Sequence, residues 1–106
     1  MVWSISFHGD AEAEFLAQPV DVQAKLERIR TLIDSLGLER VPTKHASHLE
    51  GSLWEFRLKG KDGIARALYV TRSGQRIIIV RVFTKKTQKT PRREIRLALQ
   101  RAKEFA

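Results

Sequence analysis

Three arginines and one glutamate, set into short apolar runs, are the side chains of this sequence best suited to chemistry. Glu55 and Arg57 stand two positions apart in Leu53-Trp54-Glu55-Phe56-Arg57. Arg66 interrupts Ile64-Ala65-Arg66-Ala67-Leu68, and Arg81 interrupts Ile79-Val80-Arg81-Val82-Phe83. An arginine in the middle of an apolar strand is costly unless its head reaches water or a carboxylate. One reading is therefore an internal ion pair, Arg66 or Arg81 with Glu55. In the other reading all four share the open face of one sheet, since alternate strand residues point the same way. Three cations against one acid would leave a hole for an anion.

A second cationic cluster follows the third of these runs. The segment Thr84 to Thr90 carries Lys85, Lys86 and Lys89 and no acid, and it leads through Thr90-Pro91 to Arg92 and Arg93. Thr90 supplies an N-cap and Pro91 a first-turn proline, so a helix is expected to start there. A rigid strand that delivers an unpaired cationic loop to a helix N-terminus is suited to holding a phosphate. The expected partner is a nucleic-acid backbone.

The charge distribution points the same way. The chain carries 20 Lys and Arg against 12 Asp and Glu, a formal net charge of +8. Residues 1–56 hold five basic and nine acidic side chains, whereas residues 57–106 hold fifteen and three. Such asymmetry attracts polyanions, whereas a merely solubilising surface mixes the signs. There is no cysteine, which excludes disulfides, thiolate nucleophiles and zinc–thiolate sites. No apolar run approaches the ~18 residues of a membrane span. The N-terminal Met-Val-Trp-Ser-Ile-Ser-Phe lacks the pattern of a signal peptide. A soluble cytoplasmic protein with no membrane partner is the expectation, with residues 1–106 forming one domain around one core.

The elements that must position these residues read as follows. Trp3, Ile5 and Phe7 alternate with polar neighbours, giving a half-buried strand. Gly9-Asp10 ends it, and Asp10 is placed to cap a short helix to about Ala17. After Pro19, the residues Val22, Leu26, Ile29, Ile33 and Leu36 form one stripe of a helix over residues 20–36, stopped by Gly37. Residues 38–52 lack a period and read as a connecting loop. Three strands follow, over residues 53–59, 64–71 and 76–83, joined by Gly60-Lys61-Asp62-Gly63 and Arg72-Ser73-Gly74-Gln75. A last helix, about Pro91 to Phe105, buries Ile95, Ala98, Leu99, Ala102 and Phe105 and leaves Arg92, Arg93, Arg96, Arg101 and Lys103 outside. The fold class is α+β, in the order β-α-α-β-β-β-α. A small antiparallel sheet carries an N-terminal helical hairpin and a C-terminal helix.

This order, together with Leu53-Trp54-Glu55-Phe56-Arg57, Ile64-Ala65-Arg66-Ala67-Leu68-Tyr69, the run Arg81-Val82-Phe83-Thr84-Lys85-Lys86-Thr87-Gln88-Lys89-Thr90-Pro91, and Glu94-Ile95 through Ala102, resembles the RelE/ParE superfamily of small bacterial toxins. The likeness is greatest to its phage-derived HigB-like branch and covers nearly the whole chain. The resemblance implies the toxin of a type II toxin–antitoxin pair, an endoribonuclease (mRNA interferase) that cuts mRNA, usually on the ribosome, and so inhibits translation. It implies neutralisation by a helix-turn-helix, HigA-like antitoxin, through which alone operator DNA is met. The chemistry implied is metal-independent transesterification without a cofactor. By position, Arg57 and Arg66 match basic residues of the family's concave site, with Arg81 and Lys85-Lys86 near its last cationic position. Glu55 departs from relatives in which this position is cationic, and as an acid it is either the general base or a partner of Arg57. No tyrosine follows the last strand; Tyr69 lies earlier and reads as core. The site expected is thus Arg57, Arg66, Glu55, Lys85 and Lys86 for catalysis, with Arg81, Lys89, Arg92, Arg93, His45 and His48 contacting RNA.

His45 and His48 form an H-x-x-H pair, but two ligands without a third do not make a metal site. Their ordinary pKa near 6.5 suits them to substrate contact or proton transfer. His8, Trp3 and Trp54 read as structural. Two other classes fit the composition: a ParE-like or inactive toxin acting by binding alone, and a small nucleic-acid-binding protein without catalysis.

Overall fold

The computed structural model describes residues 2–85 and 89–105, and the side chain of Lys85 is not among the described groups. Strand β1 (Ser4–Phe7) leads into helices α1 (Gly9–Leu16) and α2 (Val20–Leu36). A 3-10 turn at Leu38–Arg40 precedes β2 (Ala46–Glu50), β3 (Leu53–Gly60), β4 (Gly63–Arg72), β5 (Arg76–Lys85) and α3 (Arg92–Ala102). The strand order is β1-β5-β4-β3-β2.

The expected meander is present as β3-β4-β5, antiparallel throughout. Two strands extend it beyond the expectation. β1 pairs parallel with β5, which makes the sheet mixed. β2, inside the stretch read as a loop, pairs antiparallel with β3. That strand is short and its register shifts between His48 and Glu50, so no run of alternating residues survives to announce it.

The sheet is covered on both faces. One face packs Phe56, Leu58, Ala65, Ala67, Tyr69, Ile77 and Ile79 against the buried stripe Val22, Leu26, Ile29 and Ile33 of α2 and against Ala11 and Phe15 of α1. Leu36, expected in that stripe, is 45% exposed because the helix runs off the core at its end. Tyr69 is core, stacked on Phe56 with ring centroids 4.0 Å apart. Burial pushes its hydroxyl far above the usual phenol range. The other face packs Leu53, Leu68, Val70, Ile78 and Val80 against Ile95, Ala98 and Ala102 of α3.

The caps differ from the sequence expectation. α1 is capped by His8 instead of Asp10: Nδ1 accepts the Asp10 N–H at 3.1 Å, which leaves Nε2 to donate to Glu104 at 2.9 Å. Pro91 is the N-cap residue of α3, without a side-chain cap, and Thr90 is buried just ahead of it. The Gly60 position is fixed by contact. A Cβ there would meet Val22 Cγ2 at 2.8 Å and Asp21 Oδ2 at 2.9 Å. The Asp21 carboxylate accepts the Lys61 N–H at 2.6 Å, tying the β3–β4 hairpin to the start of α2.

Candidate functional site

The ladder places the candidate side chains. Glu55, Arg57 and Lys59 of β3 alternate with the core residues Phe56 and Leu58, so they project from the face on which α3 lies. Arg57 pairs across the ladder with Arg66, and Arg66 with Phe83. One step along, Glu55 faces Leu68, and one step the other way Lys59 faces Ile64, which faces Lys85. The result is a floor of one acid and three cations. Lys59 was not among the expected site residues, although its parity with Glu55 and Arg57 puts it on their face of β3.

Burial separates these groups. Arg66 is 6% and Glu55 4% exposed, Arg57 is half-buried and Lys59 exposed. Arg66 Nε lies 3.8 Å from Glu55 Oε1, an ion pair too long for a hydrogen bond. Glu55 Oε1, Arg66 Nε and Arg66 Nη1 are all enclosed without a hydrogen-bond partner. Burial pulls the Arg66 guanidinium below its ordinary range, Glu55 opposes the shift and Arg57 adds to it. Arg57 gives Nη1 to the Thr43 carbonyl at 2.8 Å and its N–H to the His45 carbonyl at 2.8 Å. These bonds hold the side chain in place without cancelling its charge. The floor therefore has two cations in excess and two enclosed N–H donors unused, a combination that an anion would satisfy.

Arg81 belongs elsewhere. It was expected on this floor, as an RNA contact or as the partner of Glu55. It lies instead between Glu14 of α1, at 2.6 Å, and Glu94 of α3, at 2.7 Å. Arg101, expected outside, also turns inward and bonds both Glu14 oxygens at 3.0 Å and the Val80 carbonyl at 2.9 Å. Glu14 Oε1 accepts the Val82 N–H at 3.1 Å, continuing the β5 edge beyond the last residue of β1. Burial alone would raise the Glu14 pKa, but the Arg101 and Val82 hydrogen bonds and the charges of Arg81 and Arg101 hold it below the ordinary value. Glu14 and Glu94 were not among the candidate residues read from the sequence. A sequence offers no signal for a pairing across 68 or 87 positions.

The remaining candidates divide. Arg92 makes a two-pronged contact with Glu50 at the end of β2. Arg93 is exposed on α3. Lys86 and the side chain of Lys85 lie outside the described residues, as do Thr87 and Gln88; Lys89 is exposed. His48 bonds the Gly51 carbonyl at 2.7 Å and meets the Trp54 ring edge-on at 5.1 Å. His45 faces α2 beside Lys25 and Arg28. The structure thus brings Glu55, Arg57 and Arg66 together, sets His45 behind Arg57, and removes Arg81. An apolar cavity of about 510 Å³ between Trp3, Val41, Trp54 and Tyr69 lies on the opposite face and has no cation in its lining.

Comparison with known proteins places the family and the fold. The family model described as Phage derived protein Gp49-like (DUF891) matches residues 13–103. No curated protein matches the sequence. The fold is similar to that of free Escherichia coli toxin RelE carrying two arginine-to-alanine substitutions, with a TM-score of 0.68 and 14% identity over 95% of this chain and 98% of that one. It is also similar to the archaeal RelE–RelB complex from Pyrococcus horikoshii, with a TM-score of 0.57 and 17% identity over 81% of this chain and 98% of that one. The chain belongs to the phage-derived Gp49-like family and has the fold of the RelE/ParE superfamily.

Proposed function

We propose that the chain is the toxin of a type II toxin–antitoxin pair and that it cuts mRNA, on the ribosome in the cytoplasm, to stop translation. The observation that carries this reading is the Arg57–Arg66 pair, two cations directly opposed on a sheet floor with enclosed N–H donors unused. In the proposed reaction a ribose 2′-oxygen attacks the adjacent phosphorus and the bond from phosphorus to the 5′-oxygen breaks, leaving a 2′,3′-cyclic phosphate. Arg57 and Arg66 hold the non-bridging oxygens, whose charge grows in the transition state. Glu55 takes the 2′-hydroxyl proton. A carboxylate fully engaged by arginine would be a poor base, and the 3.8 Å separation leaves its oxygen without a donor. The donor to the leaving oxygen is assigned to Lys85 or Lys86.

The proposed neutralising partner is an antitoxin, in keeping with the RelE–RelB complex among the similar structures, and we assign it to the helix-turn-helix, HigA-like kind. Inducing the chain in bacteria, with and without the adjoining gene, tests the reading. Growth arrest with new 5′ ends inside coding sequences by primer extension, both relieved by coexpression, is the expected outcome. Arrest without new mRNA ends would favour a toxin that acts by binding, and absence of arrest would overturn the reading.

A further inference from the structure

Lys25 and Arg28 stand three residues apart on α2, on one side of the helix. Neither has a carboxylate partner among the described residues, whereas the neighbouring Arg30 pairs with Glu27 at 3.5 Å. With Ile29, Thr31 and Leu32 of the same helix, and with His45, they line a cavity of about 410 Å³ that contains no acid. Its wall combines two cations, two aliphatic side chains and a flat imidazole.

The cavity is joined to the arginine floor by a single short segment. The carbonyls of Thr43 and His45 both accept hydrogen bonds from Arg57, at 2.8 Å each. A strand that leaves Arg57 around the β2 edge therefore passes Lys44 and arrives at His45, Lys25 and Arg28. Resting on the RNA reading of the floor, we propose that this cavity is a second RNA subsite. One nucleotide flanking the cleaved bond places its phosphate at Lys25 and Arg28 and its base against Leu32 and the His45 ring. Cations on a groove beside flat and apolar side chains are the general means of holding single-stranded nucleic acid.

The local electrostatics favour an anion at this place. Burial lowers the His45 pKa below 6.5, and the positive charges of Lys25, Lys44 and Arg28 lower it further. A phosphate among these groups reverses the charge effect, so binding raises the His45 pKa. Affinity then increases as the pH falls into the range where the complexed imidazole takes up its proton.

A Lys25→Ala/Arg28→Ala double variant tests the subsite, since alanine favours the helix at both positions. The probe is a short 2′-O-methyl oligoadenylate, which binds but lacks the attacking hydroxyl. With the unaltered protein, binding should weaken with salt and His45 should titrate at higher pH in the complex, followed by NMR. In the double variant the plot of log affinity against log salt should be shallower by about 0.7 to 1.4, for one or two fewer neutralised phosphates. The His45 shift should vanish. Unchanged affinity and salt slope, or a His45 shift that persists, would overturn the proposal. So would a defect confined to capture of a protein partner, which would mark the cavity as a site for an acidic peptide. If no form of the protein cuts RNA and the double variant still loses oligoadenylate affinity, the subsite stands and the nuclease reading falls.

Discussion

Arg57 and Arg66 face each other directly across β3 and β4, where like charges destabilise a sheet. Glu55 beside them offsets one charge, and incompletely, because its Oε1 stays 3.8 Å from Arg66 Nε. A protein selected only for stability would hold apolar residues here. Replacing both members of an enclosed pair with apolar groups of similar size is commonly neutral or stabilising by about 1 to 4 kcal/mol. The Glu55→Leu/Arg66→Met double variant should therefore match or exceed the unaltered protein in denaturant midpoint while losing all RNA cleavage. A clear loss of stability would show that the pair serves the fold.

Glu55→Gln separates proton transfer from binding. The amide keeps the size of the carboxylate and cannot accept the proton, so cleavage should fall by about 10² to 10⁴ with RNA affinity retained. Full activity, measured as single-turnover cleavage of a short RNA, would reduce Glu55 to a partner of the neighbouring arginine.

Glu14 links α1 to β5 and α3 through Arg81, Arg101 and the Val82 N–H. Glu14→Gln should cost about 2 to 3 kcal/mol, the scale of hydrogen bonds to charged groups. Its folded pKa is depressed below the ordinary 4.5, so its contribution is complete above that pH and is lost as the pH falls through the lower folded value. Urea unfolding between neutral and acidic pH should show the unaltered protein converging on the variant at the acid end. Parallel curves would contradict the assignment.

Gly60→Ala should destabilise by about 1 to 3 kcal/mol, because its methyl group would press on Val22 and Asp21. Thermal unfolding measures this, and an unchanged midpoint would mean that the hairpin does not rest on α2 as described.

Much of this architecture is legible in the sequence because it is periodic. The α2 stripe and the alternating Trp54, Phe56 and Leu58 gave their elements and faces, and the parity of Glu55, Arg57 and Arg66 put them on one floor. What was not legible depends on distant partners. β2 is too short and irregular to show a period, and β1 adds to the far edge as a parallel strand. Arg81 has the same kind of local context as Arg66, an arginine inside an apolar strand run. Only the folded chain brings Glu14 and Glu94 to Arg81 and leaves Arg66 without such partners. The half-chain charge asymmetry overstated the free positive surface for the same reason, since Arg72, Arg81, Arg92 and Arg101 hold the fold together.

The central claim is that the opposed arginines hold the phosphate being cut. It is tested most directly by following a defined mRNA on purified ribosomes with the unaltered protein and its Arg57→Ala and Arg66→Ala variants. Each variant should remain folded by circular dichroism and still bind the antitoxin, while cleaving about 10²-fold more slowly or not at all. If both variants cut the message at the unaltered rate, the chemistry lies elsewhere on the chain.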